Sequence, residues 1–280
     1  MTKIGFIDYY LSEWHANNYP AWIKQRCDEL GLDYKVAYAW AEKDVSPRDN
    51  VTTDEWCEKF GAEKCDTLEE LCEKSDVLLI LCPDAPHKHL EYAKVALTYK
   101  KRTYIDKTFA PDYAEACEIF EIAEQNGTPF FSSSALRYGT ELDKMAQPMT
   151  LTTTGGGRTV DEYIVHQCEM VVKKIGKDVK KVICNVQGGQ SFFNVHFESG
   201  KQATMIFGAP MPFTAYMTDA EGAEVYTGIN SNFFYALLSD IVNFYETGDI
   251  SFDVDETKAV MKLREMVMKA SDAPCTWIMA

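Results

Sequence analysis

At 280 residues the chain is long enough for two modest domains or one large one, and a composition of 46% hydrophobic and 25% charged residues is that of a globular rather than a disordered chain. Its 28 basic and 43 acidic side chains leave a formal net charge of −15, which disfavours nucleic acid and anionic membrane surfaces as partners. No apolar run approaches the roughly 20 residues that cross a bilayer. The longest basic cluster, Lys173, Lys174, Lys177, Lys180 and Lys181, is interrupted by Asp178 and reads as a solvated helix end. Met1-Thr2-Lys3 leads straight into an apolar segment without a leader's cleavage site. Nine cysteines with no Cys-x-x-Cys pair read as reduced thiols, so a cytoplasmic protein without a structural zinc site is expected.

The first half alternates strand and helix. Residues 3–7 form a short β-type run, followed by a helical stretch around residues 21–25. Residues 34–40 are a second strand, entered from the helix-ending Gly31. Thr67, with a glutamate three positions on, opens a helix. Residues 77–81, entered from Asp76, are continuously apolar, and 76–81 reads as a strand buried on both faces. A helix over 89–97, a strand over 102–106, a helix over 113–125 stopped by Asn126-Gly127, and a strand over 129–133 complete the pattern. Repeated strand–helix–strand units imply a doubly wound parallel sheet, with ligands at the carboxyl ends of its strands.

The second half changes character. The polar stretch 150–157 reads as the passage between halves, with a domain boundary placed at 136/137. A helix over 160–175 precedes strands at 181–187, 191–198, 202–207 and 213–218, and Glu198-Ser199-Gly200-Lys201 is a hairpin turn. Helices over 233–247 and 255–270 close the chain. The expected fold is therefore α/β over residues 1–136 and α+β over 137–280, the latter built on a mostly antiparallel sheet open on one face.

Three segments carry side chains suited to chemistry. Cys82-Pro83-Asp84-Ala85-Pro86-His87 follows the buried strand, and Asp106-Lys107-Thr108 follows the next one. On the helix at 160–175, Glu162 and His166 share a face at a spacing of four, with Glu169 close by. Singly, each has a plainer reading: a surface ion pair on a helix, or a solvated lysine at a strand end. A metal held by Glu162, His166 and Glu169 also fits the spacing, although no cysteine or second histidine shares that face.

In order and separation these segments resemble the glucose–fructose oxidoreductase / inositol dehydrogenase / rhizopine catabolism family of nicotinamide-dependent enzymes. Asp106-Lys107-Thr108 is similar to that family's Glu-Lys-Pro, and Pro83 and His87 match its Thr-Pro-Asn-x-x-His. Glu162, His166, Glu169 and Gly176 match the spacing of its Asp-x-x-x-His-x-x-Asp segment running to a glycine. The resemblance spans nearly the whole chain. It implies a Rossmann-like first domain, a second domain for substrate and oligomer contacts, and hydride transfer between NAD or NADP and a hydroxyl-bearing carbon of a sugar, polyol or related small molecule. His166 would serve as general base, Lys107 would stabilise the developing alkoxide, and Glu162 would hold the substrate or orient His166. The dinucleotide would run along Asp8, Tyr9, Tyr10 and Leu11, then Glu42, Cys82, Pro83, His87, Asp106 and Lys107. A homo-oligomer is implied as well.

One segment departs from the pattern. A dinucleotide fold follows its first strand with Gly-x-Gly-x-x-Gly, so that the backbone approaches the pyrophosphate closely. Here Asp8, Tyr10 and Glu13 stand at the three glycine positions. Two carboxylates near an anionic pyrophosphate would each cost on the order of 1 kcal/mol or more once water is partly excluded. The alternative expectation is thus a relative that has lost the dinucleotide and acts as a binding or regulatory protein.

Overall fold

The computed structural model describes residues 1–280. They divide into two compact units, one of residues 1–133 and 237–254, the other of residues 134–236 and 255–280.

The first unit runs β1 (Thr2–Asp8), α1 (Trp14–Leu30), β2 (Tyr34–Ala41), α2 (Thr53–Phe60), β3 (Glu63–Lys64), α3 (Leu68–Lys74), β4 (Val77–Ile80), α4 (His89–Ala96), β5 (Thr103–Ile105), α5 (Tyr113–Asn126) and β6 (Phe130–Phe131). Its six strands pair in the order β3-β2-β1-β4-β5-β6, every pair parallel. The strand order reverses between β1 and β4. At such a switch point the loops leaving the two strands diverge and open a crevice. Local chemistry sets the punctuation. Gly31, Gly61 and Gly127 end α1, α2 and α5 in left-handed conformation, which a residue without Cβ adopts at no steric cost. The four residues of β4 are all buried, as the uninterrupted apolar run requires.

The second unit contains β7 (Thr150–Gly155), α6 (Val160–Ile175), β8 (Val179–Gln187), β9 (Gln190–Phe197), β10 (Gln202–Phe207), β11 (Thr214–Thr218) and β12 (Glu224–Gly228). After α7 (Phe233–Thr247), most of which folds with the first unit, α8 (Asp255–Asp272) and β13 (Ile278–Met279) complete it. The sheet order is β12-β11-β7-β10-β9-β8-β13, antiparallel except for the β7–β10 pair. Phe193, Val195 and Phe197 alternate into a core shared with α6 and α8. Val186, Tyr226 and Met279 of this sheet are exposed.

The strand β7 corrects the reading of residues 150–157 as a polar passage. It lies inside the sheet, between β11 and β10. Leu151, Thr153 and Gly155 alternate inward, and the buried Thr153 hydroxyl donates to Gln167 Oε1 at 2.7 Å. Threonine is polar by composition but β-branched by shape, and here shape prevailed because the hydroxyl found an acceptor. The helix α2 was also unread. Its capping box, Thr52 with Glu55, is a local signal that the sequence does carry.

Gly5 shows how closely α3 lies on β1. A Cβ there would sit 2.7 Å from Leu71 Cδ2 and nearer still to Ser75 Oγ. Gly5→Ala is expected to destabilise the protein by about 1–3 kcal/mol. Urea denaturation checks this, and an unchanged midpoint contradicts the packing described.

Candidate functional site

In the first unit the switch point is built from the loop after β1, and this loop is not the open glycine turn of a dinucleotide fold. Tyr10, Leu11, Ser12, Glu13 and His15 are all buried. Asp8 ends β1 almost fully buried, with Oδ1 accepting the N–H groups of Tyr9 (2.7 Å) and Cys82 (3.2 Å). Its Oδ2 has no hydrogen-bond partner. Burial, reinforced by the nearby Glu13 charge, pushes the Asp8 carboxyl well above the usual carboxylate range.

Glu13 is the N-cap of α1. Its carboxylate accepts the N–H of His15 at 2.7 Å and that of Ala16. Burial raises its pKa, opposed by the charge of His15 and these two amides. The rest of the loop is pinned from outside. Tyr10 donates its hydroxyl hydrogen to Asp84, while Arg48 Nη2 reaches Asp84 at 2.5–2.6 Å and its Nε donates to the Tyr10 oxygen at 3.1 Å. Burial and the Asp84 contact push the Tyr10 hydroxyl up to about 12. Ser12 Oγ donates to Asp49 at 2.7 Å, and Ser46 Oγ donates to the Ser12 carbonyl at 3.0 Å.

Other expected cofactor residues surround this loop. Tyr9 lies under Lys43, whose Nζ is 4.6 Å from the ring centre, and its ring meets that of the exposed His87 edge-on at 6.3 Å. Glu42, just past β2, pairs with Lys88 (2.8 Å) and accepts from the Tyr92 hydroxyl (2.7 Å). Although burial acts to raise it, these two partners hold its pKa below the usual range. Cys82 is buried in left-handed conformation (φ 51°), and Pro83 follows it half-buried. Asp106 is fully buried, with Oδ2 2.5 Å from His15 Nδ1 and Oδ1 accepting from the hydroxyls of Tyr104 (3.2 Å) and Tyr19 (3.4 Å). Burial works to raise its pKa, yet the charge and hydrogen bond of His15 hold it low. Lys107 follows, half-buried.

The residues present do not fit a pyrophosphate seated on the N-terminus of α1. Two of the N–H groups that would bind it already hold the Glu13 carboxylate, and the space for close backbone approach contains buried side chains.

The second unit carries the other two candidates on α6. Thr159 caps the helix by accepting the Glu162 N–H at 3.3 Å, and the acidic first turn suits the positive end of the helix. Glu162 lies near the surface and pairs with Arg158 at 2.8 Å. One turn on, His166 is buried, and its Nδ1 is 2.7 Å from Ser134 Oγ. The Ser134 N–H donates to Glu169 Oε2 at 3.2 Å. Glu169 Oε1 is 2.5 Å from Arg137 Nε, and Arg137 Nη2 is 2.6 Å from Glu256. The carboxylate at 169 is therefore committed to a buried ion pair. Ser134, Arg137 and Glu256 went unread as site residues because no local pattern links them to α6.

Residues 39–133 match the model of the Gfo/Idh/MocA family, described as an oxidoreductase family with an NAD-binding Rossmann fold. That segment of the chain is similar to this family. The matched region holds Cys82–His87 and Asp106–Lys107, and it begins beyond the loop at 8–15. Among curated proteins, the uncharacterized oxidoreductase YhhX of Escherichia coli K12 is 36% identical over 66 residues. That match covers 22% of this chain and spans only 19% of YhhX. Among solved structures, UDP-N-acetylglucosamine 3-dehydrogenase GnnA of Acidithiobacillus ferrooxidans aligns with a TM-score of 0.77 at 12% identity, over 97% of this chain and 98% of its own. GenD2 from gentamicin A biosynthesis, solved in complex with NAD, aligns with a TM-score of 0.79 at 12% identity, over 100% and 96%. At these identities the likeness is one of fold. No helix is long and apolar enough to cross a membrane.

The burial of Asp8 has a pH consequence. The folded state keeps its proton to higher pH than the unfolded chain does, so stability is lost as pH rises from the ordinary carboxylate range through the raised value. Asp8→Asn is expected to raise Tm at neutral pH by roughly 2–4 °C for each kcal/mol relieved. The gain should shrink as pH falls through the ordinary carboxylate range, where Asp8 of the unfolded chain takes up its proton as well. Melting curves across pH test this; a gain that grows on acidification contradicts it.

Proposed function

We propose that the chain is an oxidoreductase acting on a hydroxyl-bearing carbon of a sugar, polyol or related small molecule. The observation that carries this reading is the match of residues 39–133, with Lys107 inside it, to an NAD-binding oxidoreductase family. The sugar-nucleotide dehydrogenase among the structural neighbours supports the substrate class. NAD or NADP is the redox partner such a family implies. NAD stands ahead, because the nearest arginine after β2, Arg48, is committed to Asp84.

The chain's own residues act on the substrate oxygen. His166 accepts the hydroxyl proton. Its Nδ1 is held by Ser134, which makes Nε2 the exchanging nitrogen. Lys107 donates to the same oxygen and stabilises the charge that develops there. Glu162, near the surface beside Arg158, holds substrate hydroxyls, while orientation of the imidazole falls to Ser134. The sheet of the second unit, with its exposed Val186, Tyr226 and Met279, serves as the contact between copies in a homo-oligomer.

A second reading, a relative that binds a small molecule without a dinucleotide, is favoured by one observation, the Glu13 carboxylate on the start of α1. Calorimetric titration with NAD⁺ and NADP⁺ separates the two. Saturable heat supports the oxidoreductase; none with either cofactor, from folded protein, removes it. On a substrate found in a sugar and polyol panel, Lys107→Ala and His166→Ala are each expected to lower kcat/KM by about 10²-fold or more, with cofactor binding retained. Wild-type turnover in both variants refutes the assignment. Ser134→Ala should lower kcat by about tenfold and shift the pH profile, with recovery in Ser134→Thr. An unshifted profile makes Ser134 merely structural.

A further inference from the structure

We propose that the Glu13 side chain is a built-in competitor for the pyrophosphate seat, so that a dinucleotide binds only by displacing this carboxylate from the N-terminus of α1. The inference concerns the cofactor side of the reading above but is tested by binding alone, whatever the outcome for turnover.

The argument starts from the needs of a helix end. The first N–H groups of α1 have no partner within the helix, and the aligned peptide dipoles make that end attract an anion. In a dinucleotide fold the anion is the pyrophosphate, admitted by glycines that keep side chains out. In this chain the anion is covalently attached. Glu13 lies at the third glycine position, and its two carboxylate oxygens accept from His15 and Ala16. An internal ligand of this kind has an effective concentration no free ligand matches, because it loses no translational freedom on binding.

The carboxylate is also difficult to dislodge. Glu13 is 3% exposed, so swinging it aside disturbs packed surroundings. The loop on which it stands is held at Tyr10 by Asp84 and Arg48, and at Ser12 by Asp49. Asp8 and Asp106 are buried near enough to raise its pKa by their charge or to have theirs raised by it. An incoming pyrophosphate therefore meets an occupied seat lined by acidic side chains. The seat is closed from within by the same chemistry that would have opened it to a cofactor.

The test compares wild type with Glu13→Ser and Glu13→Gln, all in the full-length chain. Serine keeps an N-cap oxygen and hence the helix start, but removes the charge and most of the bulk. Glutamine keeps the shape and removes only the charge. Circular dichroism melts establish that each variant is folded. NADH fluorescence titration and calorimetry with ADP-ribose, which has the pyrophosphate but no nicotinamide, measure the seat directly. The expected result is that Glu13→Ser binds both probes about tenfold tighter than wild type or better, with Glu13→Gln between the two. Equal or weaker binding in the folded serine variant overturns the proposal. So does the absence of binding in all three proteins, since removing the competitor would then have opened nothing.

Discussion

A carboxylate taken out of water needs donors aimed at it, and three such groups, Asp8, Glu13 and Asp106, lie buried at the ends of β1 and β5 and the start of α1. The first unit is arranged to answer them. The α1 amides answer Glu13, the His15 ring with the Tyr19 and Tyr104 hydroxyls answers Asp106, and the Tyr9 and Cys82 amides answer one oxygen of Asp8. The remaining Asp8 oxygen goes unanswered, and that carboxyl accordingly favours its proton. These contacts join β1, α1, β4 and β5 at the point where strand order reverses. They replace a flexible, glycine-lined crevice with a packed, polar plug.

The second unit uses the same physics to hold a single imidazole. Arg137 sits between Glu169 and Glu256, Glu169 also accepts the Ser134 N–H, and the Ser134 hydroxyl meets His166. A buried guanidinium between two carboxylates has its charge compensated on both sides, and its planar fork fixes their positions. The chain of contacts carries that rigidity to Nδ1 of His166. Preorganisation of this sort is what a proton-transferring group requires, because its nitrogen must face the substrate at the right angle without first being ordered.

Much of this was legible from residues alone. The uniform apolar run at 77–81, the capping Thr67, and Gly31 and Gly127 after α1 and α5 each dictate conformation through their own sterics or hydrogen bonds, and the parallel sheet follows from their alternation. The departure at Asp8, Tyr10 and Glu13 was equally plain, since glycine's role there is defined by the absence of a side chain. β7 was not legible, because Thr150–Gly155 is polar by composition and becomes a strand only through neighbours supplied by β10 and β11.

The division has a physical cause. Period, capping and chain reversal involve residues within a few positions of one another, so the sequence determines them by itself. The partners of buried charges are chosen across long separations: His15 finds Asp106 at 91 residues, Tyr10 finds Asp84 at 74, and His166 finds Ser134 at 32. No local rule specifies those pairings. Tertiary structure alone decided that His15 meets Asp106, that Arg137 lies between Glu169 and Glu256, and that Ser134 holds the imidazole, because each depends on which group the finished fold brings to an otherwise unsatisfied atom.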